Sequence, residues 1–133
     1  MEIRPYIPED YSALKRLYEK AGWFDVLVDS EEILNIQIKN APNSILVAIS
    51  ENKVIGSVTL LATGRLALFF RLVYTDKIVI KPLLEKGEKF FVDKGYKRFD
   101  IVAPEQDLVR HKEYLNAGFN KGDGYRWFWK ERV

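Results

Sequence analysis

Hydrophobic positions in the first third of the chain follow the period of an α-helix. Residues 2–6 predict a short opening strand, and Pro8 with the two acidic residues after it is typical of a helix start. Hydrophobic side chains then recur at helical spacing until Gly22, at Tyr11, Leu14, Leu17, Tyr18 and Ala21. Ser30 is a favourable N-cap for a second helix, which the break at residues 41–43 ends. The pattern therefore predicts one strand followed by two helices.

The middle of the chain changes to apolar runs of strand length. Residues 45–49 form one run, residues 51–53 have the composition of a turn, and residues 54–61 form a second run. A third run at residues 66–74 follows Gly64. Three consecutive strands with short connections predict an antiparallel meander.

Two further helices are predicted after the meander. Pro82 lies in the first turn of one helix, which ends at Gly95, and Gly87 in its middle costs about 1 kcal/mol relative to Ala. The other helix follows Pro104 and ends at Gly118. Three of its residues share one face: Leu108, His111 and Leu115.

The remaining segments predict strands. Residues 98–103 form one, and Phe119 and the run Tyr-Arg-Trp-Phe-Trp at residues 125–129 provide one or two more. The predicted order of elements is β-α-α-β-β-β-α-β-α-β-β. Because there is no repeat and no linker, we expect one mixed α/β or α+β domain over residues 1–133.

Composition excludes several kinds of chemistry. The 133 residues contain no Cys and one His, which excludes thiol nucleophiles, redox pairs, iron–sulfur clusters and thiolate or His-rich metal sites. There is no apolar window of the length that spans a membrane, and the N-terminus lacks the layout of a signal peptide. We therefore expect a cytoplasmic protein with no membrane partner and no metal.

Charge is distributed unevenly along the chain. The net charge of +2 argues against a nucleic-acid partner. Residues 1–51 contain 9 acidic and 5 basic residues (net −4), whereas residues 52–133 contain 10 acidic and 16 basic residues (net +6). Either the basic part attracts a polyanionic small molecule and the acidic part a cationic one, or the two parts are differently solvated surfaces of one domain.

The element order and three short segments resemble the GNAT superfamily of acyl-coenzyme A-dependent N-acetyltransferases. The segments are residues 54–56, 95–98 and 114–119, and the resemblance spans nearly the whole chain. It implies a GNAT-like mixed α+β fold, with about six to seven strands in a central mixed sheet and about four flanking helices. It also implies parallel pairing of the strands near residues 68–74 and 97–103. The activity implied is acetyl transfer from acetyl-CoA to a primary amine of a small molecule or a peptide.

The loop that binds the coenzyme pyrophosphate in this family departs from its pattern here. Family members usually carry Arg/Gln-x-x-Gly-x-Gly/Ala before the helix that follows the central strand, where backbone N–H groups face the anion. In this chain Ile78 and Ile80 stand where the two glycines are expected, and Pro82 lacks one of the N–H groups. A second interpretation therefore stays open: a catalytically impaired GNAT-fold binding or regulatory module without standard coenzyme A binding.

By resemblance, two segments are candidates for coenzyme binding. One follows the central strand and consists of Lys77, Ile78, Val79, Ile80 and Lys81. Its lysines either replace the lost backbone donors or are solvated surface groups. The other consists of the backbone groups of Leu72 and Val73, which the resemblance places beside the pantetheine amides, at a strand edge that has separated from its neighbour.

Tyr114 is the candidate catalytic residue. By resemblance it occupies the position of a tyrosine that protonates the departing thiolate; alternatively it is a packing residue. Asp107, seven residues earlier on roughly the same helical face, is where the family commonly has an Asn that contacts the coenzyme arm. His111 is either a base or relay or, as its spacing favours, a histidine at the edge of the core. No residue is singled out as the general base.

Aromatic residues are clustered at two places. Trp23 and Phe24, between the first two helices, either line an acceptor pocket together with Trp127 or pack in the core, which is favoured. In a strand, Trp127 and Trp129 lie on one face, which is typical of a core or a dimer face, so a homodimer stays open. A stacking platform for nucleic acid is disfavoured.

Overall fold

A computed structural model describes residues 1–132 and contains one five-stranded mixed sheet with helices packed on it. The elements in chain order are β1 (Glu2–Pro5), α1 (Tyr11–Lys20), α2 (Val26–Asp29), α3 (Glu31–Asn40), β2 (Ile45–Ser50), β3 (Lys53–Ala62), β4 (Ala67–Tyr74), α4 (Ile80–Asp93), β5 (Asp100–Ile101) and α5 (Leu108–Asn116). Single 3-10 turns, Pro8–Asp10 and Lys77–Val79, precede α1 and α4. All four predicted helices are present, and the four-residue α2 is additional.

The strands lie in the sheet in sequence order, from β1 to β5. Pairs β1–β2, β2–β3 and β3–β4 are antiparallel, and β4–β5 is parallel. Both the predicted meander and the predicted parallel pair are therefore confirmed. The hairpin between β2 and β3 turns through Glu51 and Asn52, whose φ angles of 50° and 62° suit a two-residue loop with the twist of its strands.

The sheet has five strands in the part of the chain that the structure describes, which corrects the expected six to seven. Residues 119–132 contain neither a helix nor a strand, so the strands predicted at Phe119 and at residues 125–129 are absent. The strand predicted over residues 98–103 is only the two-residue β5. Alternation shows which side chains would share a face, but a strand also needs a backbone partner.

The chain divides into two compact units, residues 1–102 and the residues from 103 onward. The prediction of one domain over residues 1–133 stays a prediction. In the first unit, a core cluster joins α1 and α3 to the sheet and contains Tyr6, Leu14, Leu17, Tyr18, Leu34, Ile45, Val47 and Val73. The predicted apolar face of α1 is therefore its buried face.

The acidic start of α1 is fixed by an ion pair to β1. Arg4 donates to both carboxylate oxygens of Asp10, at 2.7 and 2.9 Å, and the backbone N–H of Ile7 donates to the same carboxylate at 3.0 Å. Burial acts to raise the pKa of Asp10, but these hydrogen bonds outweigh it and the pKa is lowered from its ordinary value. Asp10 therefore stays charged at neutral pH and attaches the start of α1 to the sheet.

Gly87 lets α4 approach the sheet closely. A Cβ atom at this position would overlap the ring of Phe69 and lie 2.9 Å from Leu60 Cδ2. Phe69 is itself fixed, because it is 1% exposed and packs edge-on against Phe91 with ring centroids 5.2 Å apart. The glycine that weakens the helix in isolation is thus required by the packing of α4 on β3 and β4.

In the second unit, α5 buries a different face from the one predicted. Leu108 and Leu115 are 70% and 50% exposed, so the prediction that they lie on the packed face is wrong. The buried residues of α5 are Arg110 and Tyr114. Helical spacing is the same for both faces, so it does not show which face is buried, and the two buried polar side chains bond to one another.

Candidate functional site

A β-bulge interrupts β4 at Arg71. Two residues of β4, Arg71 and Leu72, lie opposite the single residue Val58 of β3. Arg71 has a φ of 56°, in the left-handed region, which costs a non-glycine residue on the order of 1–3 kcal/mol. Bulges bend a strand and increase its twist, and they are frequent beside active sites.

Beyond this bulge, the pairing of β4 with β5 has already ended. The parallel ladder joins Leu68 to Asp100 and Phe69 to Ile101, whereas β4 continues to Tyr74. Leu72 and Val73, predicted to hold the pantetheine amides, lie beyond this ladder, and their side chains are buried. β4 therefore extends beyond its ladder with the two-residue β5, and the role of Leu72 and Val73 in holding the pantetheine amides stays a prediction.

The bulge is anchored to the connection between α1 and α3 by a buried ion pair. Arg71 Nη2 lies 2.9 Å from Asp29 Oδ2, and Arg71 Nε lies 3.2 Å from Asp29 Oδ1. The side chain of Asp29 is 2% exposed and that of Arg71 is 16% exposed. Asp29 also accepts hydrogen bonds from the backbone N–H of Asp25 and, at its carbonyl oxygen, from the hydroxyl of Tyr11, both at 3.0 Å. The strained turn of Arg71 is thus held by a charge-assisted, two-pronged contact.

Aromatic rings surround the guanidinium of Arg71. Its central carbon lies 4.9 Å from the ring centroid of Phe70 and 5.8 Å from that of Tyr18. Burial raises the pKa of Tyr18, and the neighbouring Thr59 side chain and the charge of Arg71 oppose this effect only in part. Burial also raises the pKa of Tyr6. Both phenols are therefore neutral at physiological pH and are unsuited to act as bases.

The segment predicted to bind the pyrophosphate forms a 3-10 turn whose backbone donors are already used. Asp76 Oδ1 accepts from the N–H of Ile78 at 3.0 Å. The N–H of Val79 donates to the Asp76 carbonyl at 3.3 Å, and the N–H of Ile80 donates to the carbonyl of Lys77. An anion at this helix start would use the same donors, so the backbone cradle of the family's usual loop is not formed here.

Side chains in this segment divide into buried and exposed groups. Val79 and Ile80 are buried in the core, and Ile78 is 63% exposed. Lys77 and Lys81 are exposed, and Lys81 Nζ lies 3.9 Å from a carboxylate one helical turn later. The two lysines therefore supply the positive charge that this segment offers to an anion.

Trp23 and Phe24 are half-buried in the connection that leads to α2. Both pack against the core cluster, and the Nζ atom of Lys15 lies 5.1 Å from the Phe24 ring centroid. Core packing, the favoured alternative, accounts for these contacts, while a role in acceptor binding stays a prediction. Two exposed acidic residues, Glu31 and Glu32, follow in the first turn of α3.

Tyr114 belongs to a polar chain on the buried face of α5. Its hydroxyl oxygen accepts a hydrogen bond from Arg110 Nη1 at 3.1 Å, and both residues are 6% exposed. Arg110 Nε lies 3.1 Å from Asp107 Oδ2, and Asp107 Oδ1 caps the helix by accepting from the N–H of Arg110, also at 3.1 Å. The structure thus joins the two candidates Asp107 and Tyr114 through an arginine. Because guanidinium only donates, this bond does not use the Tyr114 hydroxyl hydrogen.

His111 has a structural contact in the same unit. Its Nε2 atom lies 2.9 Å from the carbonyl oxygen of Pro104, and a carbonyl only accepts, so Nε2 carries the hydrogen. The ring is half-buried. This contact agrees with the favoured interpretation of a histidine that packs at the edge of the core.

Known proteins match this chain in structure, although no family model or curated sequence does. PaiA N-acetyltransferase from Thermoplasma acidophilum, in complex with coenzyme A, matches with a TM-score of 0.79 and 24% identity, over 93% of this chain and 92% of its own. The solved structures that match this chain are GNAT-family N-acetyltransferases. This chain has the GNAT fold.

Two further solved structures show the same architecture. Ard1 from Thermoplasma volcanium has a TM-score of 0.77 and 13% identity, and covers 92% of this chain and 84% of its own. An aminoglycoside acetyltransferase from an uncultured soil metagenomic sample, in complex with sisomicin, has a TM-score of 0.75 and 19% identity. The match covers 98% of this chain and 96% of the acetyltransferase. The predicted fold class is therefore confirmed. In addition, no helix among residues 1–132 has the length and apolarity to cross a membrane.

Within the GNAT fold, the ion pair that anchors the bulge is not apparent from the sequence. Arg71 and Asp29 are 42 positions apart, so no local motif connects them. One signal was present: Arg71 is a charged residue inside the otherwise apolar run of residues 66–74. Charged residues in such runs are rarely buried unless they are paired, which makes an internal partner the expectation.

Proposed function

We propose that the protein is an acetyl-CoA-dependent N-acetyltransferase that acetylates a primary amine. The observation that carries the proposal is the bulged β4, which extends beyond its pairing with β5 inside a GNAT fold. Backbone groups of Leu72 and Val73, beyond the end of this ladder, would bind the pantetheine amides, and the coenzyme would supply an activated thioester. The coenzyme A complex of PaiA, which shares the fold, supports this assignment.

In this proposal, the pyrophosphate is bound by side chains instead of backbone N–H groups. The turn Lys77–Val79 uses its own donors, and the carboxylate of Asp76 lies among them. Lys77 and Lys81 then supply the attraction as point charges. Salt screens such exposed charges more strongly than it screens a buried backbone cradle.

Removal of these charges should weaken coenzyme binding. Lys77→Ala and Lys81→Ala are each expected to raise the Kd for acetyl-CoA by roughly three- to tenfold at low salt, and less at high salt, because the ammonium groups are exposed. Turnover at saturating coenzyme should change little. Isothermal titration calorimetry at two ionic strengths measures the effect. Lys89→Ala, an exposed lysine later on α4, is the matched control, and equal affinities in all three variants would contradict the role.

Tyr114 is proposed as the general acid. Tyr114→Phe is expected to lower turnover on the order of ten- to a hundredfold, at the lower end of general-acid contributions, while the Kd for coenzyme changes less than about twofold. The fold should tolerate the change, because Arg110 keeps its ion pair with Asp107. Steady-state kinetics and calorimetry on the same preparation separate the two effects.

The position of Arg110 provides a control for this prediction. Arg110→Met removes the donor to Tyr114 while leaving the hydroxyl in place. If Tyr114 is the acid, Arg110→Met should retain more activity than Tyr114→Phe. Full activity of Tyr114→Phe would remove this residue from the mechanism and leave the coenzyme-binding part of the proposal to be judged by titration.

The proposed acceptor is a cationic amine, either a small molecule or a peptide. Residues 1–51 contain 9 acidic and 5 basic residues, and Glu31 and Glu32 are exposed at the start of α3. The two exposed carboxylates attract a cation and repel an anion. The metagenomic aminoglycoside acetyltransferase, which shares the fold, binds the amine sisomicin.

One observation favours a second candidate function, a binding module without catalysis. The Asp76 carboxylate occupies the N–H of Ile78, at the helix start where an anion would otherwise bind. Titration with acetyl-CoA distinguishes the two functions. Micromolar binding of acetyl-CoA, with competition by desulfo-coenzyme A, supports the enzyme. No heat and no thermal shift at millimolar ligand supports the module.

A further inference from the structure

The short helix α2 is attached to the rest of the protein by a polar residue instead of an apolar face. Among its four residues, all of which the structure describes, only Asp29 is buried. The other three are apolar and exposed: Val26 is 63% exposed, Leu27 56% and Val28 42%. A helix of one turn is not stable by its backbone hydrogen bonds alone, so its position depends on tertiary contacts. The buried contacts of α2 are those of Asp29.

Both ends of α2 are organised around Asp29. At its start, the backbone N–H of Asp25 donates to Asp29 Oδ2 at 3.0 Å, and Asp25 Oδ1 caps the helix by accepting from the N–H of Leu27 at 2.9 Å. At its end, the Asp29 carbonyl accepts from the Tyr11 hydroxyl. The Asp29 carboxylate also receives the two-pronged contact from Arg71. Without Arg71, Asp29 would be a buried charge with no counter-charge, and α2 would lose the contact that favours its position.

Arg71 reaches Asp29 from a backbone conformation that has an alternative. Its φ of 56° belongs to the bulge, where Arg71 and Leu72 lie opposite one residue of β3. If Arg71 relaxed to an extended φ, the bulge would be lost and residues 72–74 would shift by one position against β3. Such a shift turns the side chains and backbone groups of this stretch to the opposite side. The bulged and the relaxed form of β4 therefore present different backbone groups of Leu72 and Val73.

We propose that the Asp29–Arg71 pair couples α2 to the coenzyme site, with Asp29 as a positioning residue. This inference rests on the proposed function, in which backbone groups of Leu72 and Val73 bind the pantetheine amides. A coenzyme that binds these groups in the bulged form favours that form over the relaxed one. In the bulged form the Arg71 side chain bonds to Asp29, so coenzyme binding stiffens α2. Linkage makes the effect reciprocal: a ligand that holds α2 in this position strengthens coenzyme binding to the same extent.

The coupling extends to the acceptor side of the proposed site. α2 is followed directly by Ser30, which caps α3, and by the exposed carboxylates of Glu31 and Glu32. These carboxylates are proposed to attract the cationic acceptor. Because Asp29 is two residues before Glu31, a fixed α2 also fixes where the carboxylates lie relative to β4. The ion pair thus connects the acceptor side of the proposed site to its coenzyme side.

Hydrogen exchange of the full chain, with and without coenzyme A, tests the coupling. At saturating coenzyme A, the amides of residues 25–29, which are hydrogen-bonded within this segment, should exchange at least about fivefold more slowly, because local opening of α2 becomes rarer. The matched control is the turn at residues 63–66, whose N–H groups are also hydrogen-bonded and which lies at the opposite end of β4 from the bulge. Equal slowing in the two segments would show general stabilisation and overturn the proposal.

Calorimetry on the same sample separates failure of the coupling from failure of the proposed function. If coenzyme A does not bind at millimolar concentration, the proposed function fails and the coupling fails with it. If coenzyme A binds and exchange at residues 25–29 is unchanged, the coupling alone is overturned.

Two variants distinguish coupling through the ion pair from direct contact between coenzyme A and α2. Asp29→Asn/Arg71→Gln removes both charges and leaves no unpaired buried charge, and saturating coenzyme A should then slow residues 25–29 less than about twofold. Arg71→Lys keeps the charge but loses the two-pronged contact, so its slowing should be smaller than that of the wild type. Lys89→Ala, the surface control, should match the wild type. Wild-type slowing in whichever of the first two variants folds would show direct contact and overturn the proposal.

Discussion

Asp29→Asn is expected to lower the free energy of unfolding by about 3–5 kcal/mol, the largest effect we expect from a single conservative substitution in this protein. The change removes the charge that neutralises Arg71 but keeps a side chain of similar size. Arg71 is 16% exposed, so its guanidinium would remain largely desolvated without a counter-charge. Urea unfolding followed by circular dichroism measures the difference.

A double-mutant cycle isolates the contribution of the pair. Arg71→Gln alone should also be destabilising, because it leaves Asp29 buried and charged, and the double variant Asp29→Asn/Arg71→Gln should be more stable than the sum of the single effects implies. Lys89→Ala is the surface control: its partner Asp93 is 61% exposed, and the expected change is within about 0.5 kcal/mol. Additive effects at Asp29 and Arg71 would show that the two residues are not energetically coupled.

Gly87→Val is expected to destabilise the protein by about 3 kcal/mol. A Cβ atom already overlaps the ring of Phe69 and approaches Leu60, and a β-branched side chain adds further atoms in the same space. Overpacking of this kind exceeds the gain of roughly 0.5–1 kcal/mol that replacing a helical glycine normally brings. Differential scanning calorimetry measures the loss.

A neighbouring position on the same helix controls for this second prediction. Lys86→Val places the same β-branched side chain at an exposed position of α4, where only helix propensity is at stake, so the change should stay below about 0.7 kcal/mol. Gly87→Ala should lie between the two. If Gly87→Ala were stabilising, the close approach of α4 to the sheet would not be what selects glycine.

These two sites also affect the proposed coenzyme site. Arg71 forms the bulge immediately before Leu72, and Phe69 forms the last rung of the ladder between β4 and β5. Substitutions that move either residue are therefore expected to alter the position of Leu72 and Val73 as well as stability. A loss of acetyl-CoA affinity in Asp29→Asn that exceeds the loss in Lys89→Ala would connect the anchor to binding.

The amino-acid sequence by itself determined the elements whose information is local. The period of α1, the Ser30 cap of α3 and the presence of a turn after Ser50 depend on residues a few positions apart, so their pattern is visible in the sequence. The element order, together with the segments at residues 54–56, 95–98 and 114–119, was sufficient to predict the GNAT fold with its antiparallel meander and parallel last pair. The sequence also showed that Ile78 and Ile80 stand where the family has two glycines, because residue identities are read directly from it.

Only the tertiary structure decided the features that depend on distant contacts. The Arg71 side chain at the bulge is paired with Asp29, 42 positions earlier in the chain, which supplies a buried counter-charge. The buried face of α5 carries Arg110 and Tyr114, whose side chains bond to each other, although its leucines have the same helical spacing. The aromatic run at residues 125–129 is not a strand, since a strand needs a second strand to pair with and an alternating pattern of side chains does not provide one. For the bulge, the second partner of the interaction is far away in the chain, so the neighbouring sequence does not specify it.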